Sequence, residues 1–523
     1  FFLQTYRIPR SIFIIYWLFF LMGAGGMRFS TRIYKHYYTL QSAAGRRILV
    51  YGAGAAGQMI AKEMRGEPSF GYTPICFVDD DPAKAEMRLH GLPIYPGTTR
   101  LDEIIKENSI EDVLIAIPST SGVRVRKIIE NCNVSHVKFK TLPSLSEIVS
   151  GKLSVEQIRE IKIDDLLKRA PKDLDQRLIE SFVAGKTVLI TGAGGSIGSE
   201  LSRQVVQCSP SIEMLVDNNE YGIYRIDSEL SVNHNGVELY SILENIVKPI
   251  RTEDHLRRIK TDIIFHSAAY KHVSLVETNP CEAIINNING AVNAAKLADK
   301  YKVKKFVLIS SDKAIRPTSV MGATKRVCEL YVQNLNNKSD TEYVAVRFGN
   351  VLDSSGSVVP KFKQQIRNGG PVTVTHPDAT RYFMLIPEAV QLVMQAASLG
   401  KGGEVFILDM GEPVNIENVA KDMIRMMGFS LDEVKINYTG LKPGEKLREE
   451  LLIDDTVKDT KYESITIAGV TKVNWEEYES DVDKLVHFAY DGNVNAAIQM
   501  LKKLVPEYSP QNKVYQSILE QQY

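Results

Sequence analysis

At two separate places the chain shows an apolar strand run that ends in a glycine-rich turn and continues as a helical pattern. No other feature narrows the fold as much. The first is Arg47–Tyr51 (RILVY), followed by Gly52, Gly54 and Gly57; the second is Lys186–Ile190 (KTVLI), followed by Gly192, Gly195 and Gly198. A strand, tight turn and helix in this order open a βαβ unit, whose parallel strands are covered on both faces. More strand runs follow each start. ICFVD ends at Asp79 and DVLIAIP ends at Pro118; later come MLVD ending at Asp217, DIIFHSAA, KFVLISSD and YVAVRFGN.

Ahead of these units lies Ser11–Met27, SIFIIYWLFFLMGAGGM, which carries no charge over about 17 residues, near the lower limit for spanning a bilayer. No acidic residue precedes Glu63, whereas Arg7, Arg10, Arg28, Arg32, Lys35, Arg46 and Arg47 do. Basic residues are denser after the stretch, which places the body of the protein on the cytoplasmic side of the inner membrane. The expected fold class is thus α/β, with two doubly wound parallel-sheet Rossmann-like domains after an N-terminal transmembrane helix. The expected boundaries are a membrane segment and basic connector at 1–45, a nucleotide-binding domain at 46–143, and a linker at 144–185 with a break at Pro171. A catalytic domain at 186–455 and a C-terminal tail at 456–523 complete the chain.

Charge excludes one class of partner. The 63 basic residues balance the 63 acidic ones, so no global field draws the chain to nucleic acid. The five cysteines form no CxxC pair, which argues against a disulfide framework or a zinc site, and no metal is expected. A homo-oligomer is expected.

Backbone N–H groups in a glycine-rich turn approach a pyrophosphate at the positive end of the following helix. In the second copy that turn comprises Gly192, Gly195, Ser196, Ile197 and Gly198. Asp217, ending the next strand, suits the ribose hydroxyls and repels a 2′-phosphate, so NAD is favoured over NADP. Asn245 and Ala268 complete the expected cofactor set. For the first copy, Gly52, Gly54, Gly57 and Asp79, nothing downstream suggests reaction chemistry. After the second come Ser310-Ser311-Asp312-Lys313 at a strand end and Met321-x-x-x-Lys325 opening a helix. Residues four apart share a helix face, so Lys325 lies one turn beyond Met321.

The runs TGAGGSIGSEL, HSAAYKHVSLVE, SSDKAIRPTSVMGATKRVCE, RFGNVLDSSGSVVPKF and LKPGEKLREELL resemble the extended short-chain dehydrogenases. More narrowly they resemble the membrane-bound bacterial UDP-N-acetylglucosamine 4,6-dehydratases of surface-glycan biosynthesis, over nearly the whole chain. The resemblance implies a UDP-sugar substrate that is oxidised at C4, loses water across C5–C6 and regains hydride at C6. It implies Asp312 as the acid at C6, Lys313 as the base at C5 and Lys325 on the nicotinamide ribose. Lys313 is then expected to have a depressed pKa beside a cation, Lys325 or the oxidised nicotinamide, and Asp312 a raised one through burial.

Met321 departs from most short-chain dehydrogenases, which place a Tyr four residues before the lysine. A thioether has no proton to exchange. The base at the C4 hydroxyl stays open among Asp312, Ser311 through water, and Tyr270. Asn350 matches a family position near the diphosphate. Lys361 and Arg381 are expected to neutralise phosphate oxygens, and Lys271 and His272 to line the sugar pocket. Glu244-Asn245-Ile246 replaces the Gly-Asp-Ile common in relatives, and an Asn carbonyl oxygen can still accept from adenine. A sugar 4-epimerase and a membrane-tethered nucleotide sensor without turnover are the competing readings. The first would want Tyr at 321; the intact Asp312, Lys313 and Lys325 speak against the second.

Overall fold

The computed structural model describes residues 10–41, 45–97, 101–118, 120–132, 136–143, 154–167, 174–233, 236–451 and 457–520. Pro171 lies outside them. The chain forms two compact units, Phe1–Leu166 with Arg425–Ser430, and Leu167–Ile424 with Leu431–Tyr523.

The first unit holds a seven-stranded sheet among its described residues. Arg46–Tyr51 sits at its centre, parallel to Tyr72–Asp79 on one side and Asp112–Ile115 on the other. Arg159–Glu160, in the expected linker, is the last strand and pairs antiparallel with Lys138–Thr141. The Asp79 carboxylate accepts from the Ala53 backbone N–H at 2.7 Å and pairs with Lys84 at 3.1 Å.

The helix Arg10–Gln41 precedes this sheet and contains the apolar stretch. Among the described residues, however, no helix is long and apolar enough to cross a membrane, so the expected transmembrane span is not supported. About 17 apolar residues rise about 26 Å, against a hydrocarbon core of about 30 Å. The rest of the helix carries Arg28, Arg32 and Lys35.

The second unit is built on a nine-stranded sheet. Across it run Glu238–Leu243, Ile212–Asp217, Thr187–Thr191, Ile263–His266, Lys305–Ile309, Glu342–Arg347 and Val405–Leu408, all parallel, before Ile465–Ile467 turns antiparallel. Alternate residues of one strand feed opposite cores, which is why these strands read as continuous apolar runs. Phe306 and Leu308 face one core with Leu189 and Ile264. Val307 and Ile309 face the other with Val188 and Phe265. Strand order reverses between Thr187–Thr191 and Ile263–His266, and in open parallel sheets that reversal opens a crevice at the carboxyl ends.

Residues beyond 456 do not stand apart as a tail. Helices Trp475–Tyr490, Val494–Leu504 and Lys513–Glu520 bury Val482, Leu485, Ile498, Leu501 and Tyr515 in the first of those cores. Their apolar positions recur at helical spacing, and that face is covered by the sheet unit.

Candidate active site

One cleft of about 1210 Å³ lies at the carboxyl ends of the second sheet. Gly192, Gly195, Ser196, Ile197, Gly198, Asp217, Asn245 and Ala268 line it, together with Ser311, Lys313, Met321 and Lys325. So do Tyr270, Lys271, His272, Asn350, Lys361 and Arg381. Asp312 does not: it is 1% exposed and sits behind the cleft wall.

The glycine turn leaves no room for side chains. Gly192 has φ 71°, and a Cβ there would come within 2.7 Å of the Ala268 nitrogen. A Cβ on Gly198 would lie 2.0 Å from the Gly192 carbonyl oxygen. Helix Ser196–Gln207 starts at this turn, so its unpaired N–H groups border the cleft. Asp217 is fixed by N–H donors from Gly194 and Asn219, both at 2.8 Å. Ser196 Oγ accepts from the Ser355 N–H at 3.1 Å, tying the turn to the Ser354–Ser357 loop. This cradle fits a dinucleotide pyrophosphate, with a carboxylate in place for ribose hydroxyls. Asn245 fits less freely than expected, because its carbonyl oxygen already accepts from the Val247 N–H at 2.9 Å.

The reacting half grows from the strand Lys305–Ile309. Ser311 caps the short turn Asp312–Ala314, and its hydroxyl donates to Asp312 Oδ1 at 2.8 Å. Lys313 Nζ donates to the same oxygen at 3.0 Å and to Asn350 Oδ1 at 2.9 Å. Helix Val320–Leu335 is capped by Ser319 and packs directly on this turn. A Cβ on Gly322 would come within 2.2 Å of the Lys313 carbonyl oxygen, so only glycine permits that approach. The packing brings Met321, 3% exposed, and Lys325 to the same cleft wall. Lys325 Nζ donates to the Ile309 carbonyl at 2.9 Å, and burial lowers its pKa. Burial and then the Lys325 charge hold the His266 ring neutral, its pKa lowered to about 3.

The protonation expected of Lys313 is overturned. Burial, the largest influence, works against its ammonium, but the carboxylates of Asp312 and Glu449 prevail and raise its pKa above the ordinary lysine value. Lys325, expected to depress it, is engaged with Ile309 instead. Glu449, absent from the sequence reading, lies 3.5 Å from Lys313 Nζ and 3.8 Å from Arg381 Nε. Arg381 is less available for phosphate than expected. Its guanidinium binds Glu445 at 2.8 Å and the carbonyls of Thr380 and Leu447. Lys361 stays at the cleft, its pKa lowered by burial and then by Lys442. The His272 ring packs on Gly356, and burial followed by the Lys271 charge lowers its pKa. The only sequence signal for Glu449 was its place in LKPGEKLREELL, some 136 residues beyond Lys313.

A parallel sheet with a glycine-rich cradle at its switch point, and an acid–amine pair beside the same cleft, defines a Rossmann-like dinucleotide-binding fold. Residues 188–470 match the family model "Polysaccharide biosynthesis protein", and residues 1–143 match a CoA-binding domain model. The chain belongs to the polysaccharide biosynthesis protein family. It is 42% identical to the capsular polysaccharide biosynthesis protein CapD of Staphylococcus aureus, over 91% of this chain and 80% of that one. It is 41% identical to the probable polysaccharide biosynthesis protein EpsC of Bacillus subtilis, over 83% of this chain and 73% of the relative. Among solved structures it is similar to Pen from Bacillus thuringiensis, with TM-score 0.51 and 32% identity, covering 58% of this chain and 98% of that one.

Proposed function

We propose that the second unit is an NAD-dependent 4,6-dehydratase acting on a UDP-linked N-acetylhexosamine, with UDP-N-acetylglucosamine as substrate and a 4-keto-6-deoxy sugar as product. The observation that carries this reading is the contact between Asp312 and Lys313, 3.0 Å apart, at the wall of the cleft that holds the glycine cradle. NAD, when bound, supplies the hydride acceptor for C4 and the hydride returned to C6. The chain holds it through the turn Gly192–Gly198, Asp217 and Lys325.

The remaining chemistry is a proton inventory. A ketone at C4 acidifies the C5 proton, so an amine is a sufficient base. Lys313 starts as an ammonium and Asp312 as a carboxylate. Transfer of one proton from Nζ to Asp312 turns them into amine and carboxylic acid without changing the cluster's charge. The amine takes the C5 proton while the proton on Asp312, itself 1% exposed, passes to the C6 hydroxyl through the Ser311 hydroxyl that lines the cleft. The C6–O bond breaks, water leaves and a C5=C6 bond forms. Ammonium and carboxylate are restored; when hydride returns to C6 the ammonium gives a proton back to C5, and the proton released by the C4 hydroxyl on its oxidation replaces it in the cluster. Asn350, accepting from Lys313, keeps Nζ aimed during this exchange.

Met321 supports dehydration over epimerisation by resemblance: 4-epimerases carry a Tyr at this place to exchange a proton with the C4 oxygen, and a thioether has none to exchange. Ser311, whose hydroxyl donates to Asp312, lines the same cleft. Incubation of the full chain with UDP-N-acetylglucosamine is expected to give a 4-keto product lighter by one water, seen by mass spectrometry. An isobaric product would mean epimerisation. Tight binding without conversion would mean a ligand sensor.

A further inference from the structure

The Asp312–Lys313 couple has a third member. Lys313 Nζ has three N–H donors as an ammonium, and three acceptors converge on it: Asp312 Oδ1 at 3.0 Å, Asn350 Oδ1 at 2.9 Å and Glu449 Oε1 at 3.5 Å. The Glu449 side chain is 3% exposed and that of Asp312 is 0% exposed. The second oxygen of each, Asp312 Oδ2 and Glu449 Oε2, is buried with no hydrogen-bond partner among the described residues.

The charged groups facing Lys313 are Asp312 from its own turn, Glu449 from the C-terminal segment and Arg381 from the strand Thr380–Arg381. Arg381 is neutralised in turn by Glu445 at 2.8 Å. Two carboxylates therefore share one ammonium, leaving one excess negative charge in a buried pocket. A buried net charge of that sign favours uptake of a proton.

We propose that Glu449 is a positioning residue for elimination: its carboxylate anchors Lys313 and supplies the excess negative charge that tunes the proton affinity of the Asp312–Lys313 couple. This rests on the dehydratase reading. The working form carries one proton shared between amine and acid. Losing it ends catalysis on the alkaline side, and gaining a second ends it on the acid side. These two limits belong to the coupled cluster rather than to either residue. A carboxylate 3.5 Å from Nζ raises both, so removing its charge lowers both.

The test is the pH dependence of kcat for UDP-N-acetylglucosamine dehydration by wild type, Glu449→Gln and Glu449→Asp. In Glu449→Gln both limbs are expected to move to lower pH by about 1 unit or more. Glu449→Asp keeps the charge at shorter reach, so its limbs are expected to move the same way by less. It also serves if the Gln variant does not fold. A uniform fall in kcat with unmoved limbs would overturn the proposal, since loss of packing alone has that effect.

A second readout needs no turnover. Competitive acetylation of Lys313 with acetic anhydride across pH, followed by peptide mass spectrometry, titrates the amine itself. Its midpoint is expected to fall by about 1 unit or more in Glu449→Gln. If wild type loses no water from the sugar while this midpoint still falls, the dehydratase reading fails and only the effect of the Glu449 charge on Lys313 stands. An unchanged midpoint overturns the assignment whatever the turnover.

Discussion

Asp312→Asn is expected to reduce turnover of UDP-N-acetylglucosamine by about 10²–10⁴-fold, the range lost when a positioned proton donor is removed. The substitution is close to isosteric. An Asn carbonyl oxygen can still accept from Lys313 and Ser311, so the geometry at 3.0 Å and 2.8 Å survives. What is lost is a carboxyl that can take a proton from Nζ and pass it to the leaving hydroxyl. Because the cradle lies on other elements, NAD is expected to co-purify with the variant at the wild-type ratio, read by absorbance after release. Lys313→Ala is expected to abolish turnover, and also to leave Asp312 and Glu449 without the ammonium they share. Near-normal turnover in Asp312→Asn would remove that residue from the elimination.

Glu329→Ala is expected to cost about 3–5 kcal/mol of stability, the toll of leaving a buried charge without its partner. Glu329 is 0% exposed and accepts from Arg347 Nε at 2.7 Å, Arg347 Nη2 at 2.6 Å and Ser310 Oγ at 2.6 Å. Arg326 adds a contact at 3.2 Å. Arg347 is itself 2% exposed, so without Glu329 its guanidinium has neither water nor counter-ion. The expected fall in Tm, read by calorimetry, is on the order of 5–10 °C. Burial pushes the Glu329 carboxyl up, but Arg347 and Arg326 outweigh it and hold its pKa below the ordinary value. Its contribution is therefore present above the unfolded pKa of about 4.3 and lost as pH falls through the folded one. The gap between wild type and variant is expected to narrow below about pH 4. This cluster joins the ends of Lys305–Ile309 and Glu342–Arg347, the strands that lead to Lys313 and Asn350. Loosening it is expected to lower kcat too.

The sheet-forming runs were legible because burial on both faces leaves an unbroken apolar signature, as in KFVLI and YVAVR. Gly192 and Gly198 were legible because a Cβ at either position would come within 2.7 Å or 2.0 Å of neighbouring backbone. Helical spacing brought Met321 and Lys325 to one wall. The electrostatics of that wall were not legible. Lys313 was assigned a cationic neighbour, yet its neighbours are the carboxylates of Asp312 and Glu449, the latter delivered by a distant segment. Arg381 had the chemistry for phosphate, but Glu445 from that same segment engages it. Local pattern fixes which residues share an element; it carries no information on which distant charge arrives beside them. The apolar stretch Ser11–Met27 lies at the lower limit of spanning length, and among the described residues no helix is long and apolar enough to cross a membrane.

The central claim is that one cleft moves a hydride from C4 to C6 of the same sugar while Asp312 and Lys313 expel water between. Conversion of UDP-N-acetylglucosamine deuterated at C4, followed by NMR and mass spectrometry of the product, tests it most directly. The expected product is a 4-keto-6-deoxy sugar with the deuterium in its C6 methyl group. A product that keeps deuterium at C4, or whose C6 carries none of it, would contradict the account.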